Sequence, residues 1–141
     1  MAAMMDVAAL TYFLQTEFPQ VNADGPVFSV TDAGDGFASM RLDPSEKHLR
    51  PGGTVSGPSL FSLADVTAYM AILAQIGPVA LAVTTNLNIN FLRKPSPGPV
   101  DAKATILKLG KRLAVVEIAM TADGDLVAHA TATYSIPPRQ D

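Results

Sequence analysis

From Gly52 through Ala74 the chain offers a glycine-rich loop and then a run almost without polar side chains, interrupted by a single carboxylate. Ser56 or Gly57 suits a helix N-cap, and Pro58 suits the first helical position, where a missing N–H is no loss. Leu60, Phe61, Leu63, Ala64, Val66, Met70, Ala71, Ile72 and Leu73 leave no polar face wide enough to meet water, and a helix apolar all round is a buried helix. Asp65 sits inside it, the only Asp, Glu, Lys, Arg or His between Pro51 and Leu92. Burying an unpaired carboxylate is costly, so its place there calls for a reason.

A core able to bury such a helix needs enough chain around it. With 141 residues, 48% of them hydrophobic and 16% charged, the sequence has the material for one folded domain spanning 1–141 and is too apolar to stay disordered. The net charge of −3 comes without any basic block, which argues against a nucleic-acid partner. There is no cysteine, which excludes disulfides, thiolate metal sites and a thiol nucleophile. The first residues lack the basic start of a signal peptide. The stretch 66–83 is apolar enough to trip a hydropathy scan, but Thr67, Gln75 and the Gly77-Pro78 break argue against a membrane span. A soluble, cytoplasmic protein is the expectation.

Along the chain, Val7, Leu10, Phe13 and Leu14 recur at helical spacing, so a short amphipathic helix is predicted over about 6–18, with Asp6 as N-cap and Pro19 as its stop. Strands are predicted at 27–32 and 37–42 about a Gly34-Asp35-Gly36 turn, then the central helix at about 57–76. Further strands are predicted at 80–92, 100–109, 113–121 and 126–136, with Gly110-Lys111 and Asp123-Gly124 as hairpin turns. Short turns between the last four strands predict an antiparallel meander. Two strands, a buried helix and four strands make an α+β pattern, with the antiparallel sheet curved around the helix. Covering the helix's remaining face calls for a second subunit or a second helix.

Three stretches carry a family resemblance over most of the chain from Val27 onward. His48 through Pro58 followed by Leu60-Phe61-Ser62-Leu63-Ala64-Asp65, then Asn88 through Pro95, then Leu109 through Glu117, resemble the signatures of hotdog-fold acyl-CoA thioesterases of the phenylacetate-pathway (PaaI-like) type. The resemblance implies a sheet wrapped around a central helix, homodimers that pair into tetramers, and active sites between subunits. It implies a catalytic carboxylate at Asp65, acting as base or nucleophile on a thioester carbonyl. The backbone N–H of Gly57 is then the carbonyl-polarising group, and Thr84, with Thr85 second, places the water or the carboxylate. Coenzyme A enters as part of the substrate, with no metal and no other cofactor. Where the family has Asn, His and Gly, this chain has Arg50, Ser56 and Pro58. Arg50 and Ser56 are therefore expected to set the loop and the substrate. Lys94, Lys108, Lys111 and Arg112 are a solvated rim in the plain reading and contacts for the coenzyme A phosphates in the functional one.

The chemistry supports these assignments without the name. A helix N-terminus presents free N–H groups and positive partial charge to a developing oxyanion, and a glycine there lets substrate approach the backbone. A carboxylate in apolar surroundings is a better base than one in water. Eight helical residues separate Gly57 from Asp65, ~12 Å at ~1.5 Å per residue, so one carbonyl does not reach both within a chain. Antiparallel helices across a dimer bring Gly57 of one chain to Asp65 of the other. Leu, Met and Ala around the site predict an apolar acyl pocket.

Plainer readings stay open at this point. One makes Asp65 a structural group bonded to backbone, Ser62 or Thr67. His48 reads as a loop residue and His129 as outward-facing on the last strand, and two isolated histidines make no metal site. The changes at Arg50 and Ser56 motivate a second function, non-catalytic binding or sensing of acyl-CoA. A hydratase or dehydratase on the same fold is disfavoured, because Ser56 occupies the place of the histidine such enzymes use.

Overall fold

The computed structural model describes residues 2–138. Helix α1 (Val7–Glu17) starts at Asp6, whose carboxylate accepts from the Ala9 N–H at 2.9 Å, and ends before Pro19. Strands β1 (Phe28–Gly34) and β2 (Phe37–Leu42) form a hairpin. Helix α2 (Gly57–Ile76) follows, then β3 (Val83–Phe91), β4 (Val100–Leu109), β5 (Leu113–Ala122) and β6 (Asp125–Ser135). Short 3-10 turns lie at Pro19–Asn22 and Glu46–His48.

The six strands form one antiparallel sheet in the order β1-β2-β4-β5-β6-β3. The fold is therefore an α+β hotdog, an antiparallel sheet packed on one long helix. The predicted four-strand meander needs correction, because only β4, β5 and β6 follow one another in space. β2 and β5 occupy both sides of β4, so β3 has no free edge there and instead pairs with β6 from Val83↔Ser135 to Phe91↔Ala128. The proline-rich link 92–99 carries the chain across between the two positions, which a tight hairpin turn does not do.

Thirteen of the 20 residues of α2 are buried, so the apolar run is a core helix. Ser56 is its N-cap, accepting from the Ser59 N–H at 3.3 Å, and Gly77, with φ of 90°, closes the C-terminus by donating to the Leu73 carbonyl. The concave face of the sheet meets α2 through alternating small and large side chains: Ala102 and Ala104 on β4, Val116, Ile118 and Met120 on β5, Ala128, Ala130 and Ala132 on β6. Register shifts at Thr84/Asn86, Ile106/Lys108 and Met120/Thr121 mark bulges that help the sheet bend.

Gln75 is buried for a reason of its own. Its amide donates to the Gly34 carbonyl at 2.9 Å and accepts from the Gly36 N–H at 3.0 Å, fastening the β1–β2 turn to the end of the helix. Helix α1 covers only the C-terminal half of α2, where Phe13 meets Tyr69 edge-on at 5.8 Å. Over the N-terminal half a stripe at helical spacing stays uncovered: Pro58, Phe61 and Ser62 are exposed, Asp65 and Val66 half-buried. The second helix therefore answers half of the covering problem posed by the sequence.

Candidate active site

The loop before α2 is built to present the helix start. Arg50 and Thr54 close a tight turn through backbone hydrogen bonds, with Gly52 and Gly53 at φ of 102° and 85°, where a side chain would be strained. His48, expected as a loop residue, is buried in a 3-10 turn. Its Nδ1 accepts from the Ser45 N–H at 3.0 Å, and its carbonyl accepts from the Ser56 N–H at 2.8 Å. That anchor fixes where the helix begins.

Asp65 is reached from two strands. Thr84 on β3 donates its hydroxyl to Asp65 Oδ1 at 2.5 Å. The Tyr134 hydroxyl, from β6, lies 2.7 Å from the same oxygen and 2.8 Å from the Asp65 carbonyl oxygen. Asp65 is thus half-buried and hydrogen-bonded, in place of the apolar surroundings inferred from its helix. Neither alternative side-chain partner is used: the Thr67 hydroxyl donates to the Leu63 carbonyl at 2.6 Å, and Ser62 is exposed. No described residue donates a hydrogen bond to Asp65 Oδ2.

Tyr134 escaped the sequence reading, although a signal exists. It ends an inward-facing row of alanines, and a phenol in a core position needs a partner for its hydroxyl. Its ring stacks on Tyr69 at 6.1 Å, and the Tyr69 hydroxyl donates to the Ala80 carbonyl at 2.7 Å. Burial, reinforced by the adjacent Asp65 carboxylate, pushes the Tyr134 phenol far above its ordinary range. Burial, helped by Glu17, pushes Tyr69 up to about 12.

Two cavities flank α2. One, of about 360 Å³, is lined by Asp65, Thr84, Tyr69 and Tyr134 together with Glu17 and Phe18 from the end of α1. Ala80, Ala82 and Val83 add to its wall. Leu63, Met70, Ile72 and Leu73 are fully buried. The other cavity, of about 630 Å³, opens at the helix start, with Gly57 and Phe91 at its base and Arg50, Arg93 and Lys94 around it. A Cβ on Gly57 would stand 3.3 Å from the Phe91 ring, so the glycine makes room there. At the first position of α2 the Gly57 N–H has no partner within the helix, and no described residue accepts from it.

The predicted site residues therefore fall into separate groups. Asp65 and Thr84 meet; Gly57 and Arg50 share the other cavity. Ser56 caps α2 and donates its hydroxyl to Ser59 Oγ at 2.9 Å. Thr85 is exposed at the β3 bulge and donates to the Thr133 carbonyl at 3.2 Å. Lys111 and Arg112 are exposed in the β4–β5 turn, and Lys94 joins the cationic side of the Gly57 cavity together with Arg93, a residue the rim reading passed over. His129 is half-buried on β6 and pairs with Glu117 at 2.8 Å. No cluster of three potential metal ligands occurs among the described residues.

The family model of the thioesterase superfamily matches residues 52–129, and the chain belongs to that superfamily. A crystal structure from Silicibacter sp. TM1040, carrying the name "putative thioesterase", is 47% identical and superposes with a TM-score of 0.86 over 96% of this chain and 94% of that one. The phenylacetic acid degradation protein PaaI from Thermus thermophilus is 28% identical, with a TM-score of 0.71 over 78% of this chain and 93% of that one. A Pseudomonas aeruginosa protein named "Putative esterase PA0474" is 31% identical over 121 residues, 84% of this chain and 89% of its own.

Proposed function

We propose that this protein hydrolyses an acyl-CoA-type thioester, with Asp65 acting on the thioester carbonyl and Gly57 polarising it. The observation that carries the reading is the pairing of a carboxylate held by the Thr84 hydroxyl with an unpartnered N–H at the start of the same helix. Water adds to the carbonyl carbon as Asp65 takes its proton, and the oxyanion that forms is stabilised by the Gly57 N–H and the positive end of α2. The C–S bond then breaks and the proton passes to the departing sulfur, leaving a free acid and coenzyme A. Direct attack by the carboxylate followed by hydrolysis gives the same products.

The active unit is a homodimer, and dimers pair into a tetramer. Two features favour the dimer. β3 is an edge strand with Val83 and Phe91 more than half exposed, and the uncovered stripe of α2 lies on the helix that carries Asp65. Antiparallel apposition of two such faces brings Gly57 of one chain to Asp65 of the other and joins their two cavities. Arg50, Arg93 and Lys94 beside Gly57 suit the phosphates of coenzyme A, with Lys111 and Arg112 as outer contacts. Ser56 and Thr85 act by shaping the loop and the β3 bulge at the substrate's edge.

The test is thiol release from a panel of short, long and aromatic acyl-CoAs, native protein against Asp65→Asn. Turnover of at least one member, lowered ~10²-fold or more in the variant, is the expected result for loss of a general base. Saturable binding by both proteins with no turnover by either replaces the enzyme with an acyl-CoA sensor.

A further inference from the structure

Two hydroxyls converge on one oxygen of Asp65, and only one of them is accounted for by the reaction proposed above. Tyr134 is 3% exposed and its ring is clamped by the stack on Tyr69, itself tied to the Ala80 carbonyl. The phenol therefore has little freedom to swing away from Asp65. It approaches Oδ1 from β6, while Thr84 approaches the same atom from β3. A carboxylate with one hydrogen bond can still rotate about its Cβ–Cγ bond. Two hydroxyls from different strands, Thr84 on Oδ1 and the phenol bridging Oδ1 and the Asp65 carbonyl oxygen, hold its plane.

We propose that Tyr134 is a positioning residue for the Asp65 carboxylate: with Thr84 it anchors Oδ1, and this leaves Oδ2 as the atom that takes the proton from the attacking water. The inference rests on the hydrolytic reading for its kinetic consequence, but the link between phenol and carboxylate stands on geometry alone. Tyr134 touches neither water nor substrate in this scheme. It removes the rotational freedom that otherwise spreads Asp65 over unproductive orientations, and alignment of a catalytic group is worth large factors in rate. The titratable groups that share the cavity with Asp65 are Glu17, Tyr69 and Tyr134.

The variant that isolates the hydroxyl is Tyr134→Phe, which keeps the ring and its stack. With the preferred acyl-CoA, kcat is expected to fall about 10-fold at unchanged KM, as for loss of one hydrogen bond to a charged group. A second readout needs no turnover: a crystal structure of Tyr134→Phe is expected to show the Asp65 carboxylate in more than one orientation about Cβ–Cγ, against one in the native chain. Tyr134→Leu, which also lacks the hydroxyl, serves in its place if the Phe variant does not fold. An unchanged kcat together with a single, native orientation of the Asp65 carboxylate overturns the proposal and leaves Tyr134 as packing. If no acyl-CoA is turned over, the hydrolytic reading falls, and the orientation of the Asp65 carboxylate alone decides whether the phenol governs it.

Discussion

Thr84 Oγ1 stands 2.5 Å from Asp65 Oδ1, joining the start of β3 to the middle of α2 across 19 positions of sequence. The contact requires β3 to lie at the edge of the sheet beside β6, because only there does its first inward position look onto the helix at the level of Asp65.

This contact makes the hydroxyl of Thr84 separable from its shape. Thr84→Val, which keeps the branched outline, is expected to lower kcat about 10-fold or more, in line with ~1.5–3 kcal/mol for a hydrogen bond to a charged group. Thr84→Ser is expected to retain most of the rate. Steady-state kinetics on the same acyl-CoA decides it, and equal rates in the Val variant remove Thr84 from the site.

A site shared between chains is testable by mixing. Asp65→Asn and Gly57→Ala each disable both sites of a homodimer, the second because its added methyl crowds Phe91 and the carbonyl's approach. A heterodimer of the two, isolated with two affinity tags, contains one intact site and is expected to show about half the native turnover, as two-fold symmetry dictates. Activity no higher than that of the parent variants places the whole site within one chain.

Gln75 gives a stability test remote from the chemistry. Gln75→Leu leaves the Gly36 N–H and the Gly34 carbonyl without their partner, and unpaired buried groups cost ~1–3 kcal/mol. Urea unfolding is expected to register that loss, with thiol release unchanged in the folded protein.

The buried phenols predict alkaline behaviour. Folding raises Tyr69 from an ordinary 10 to about 12, and raises Tyr134 as well. Protons are thus held more tightly in the folded chain than in the unfolded one. The stability this contributes is complete below pH 10 and is lost as pH climbs from 10 towards 12. Thermal unfolding followed across that range is expected to show a falling midpoint, with a shallower fall in Tyr69→Phe.

Much of this architecture is legible in the residues. The apolar run with Pro58 at its start and Gly77-Pro78 at its end marks the central helix, and the resemblance around Asp65 and Thr84 pairs two residues that do meet. What local pattern does not carry is partner choice among strands. Alternation along 83–91 says that a strand exists, whereas its place beside β6 follows from β4 being flanked on both sides. Tyr134 was hidden for a related reason: its side chain reads as one more inward position until the helix carboxylate is laid opposite it. Arg93 joins Arg50 only through the folding of the proline-rich link beside the loop, where Val55 donates to the Pro95 carbonyl at 3.2 Å.

The alanines of the concave face act as a gauge. Ala128, Ala130 and Ala132 on β6, with Ala102 and Ala104 on β4, stand between sheet and helix with one carbon each, and Tyr134 ends the β6 row with a phenol of fixed reach. That reach matches the gap the alanines set. A larger side chain at any of them would lift α2 off the sheet, because interiors packed this closely do not absorb an extra methylene without displacement. The carboxylate would then be stranded beyond its hydroxyls while every residue of the site was still in place. The calibration of the site is thus entrusted to methyl groups that take no part in its chemistry.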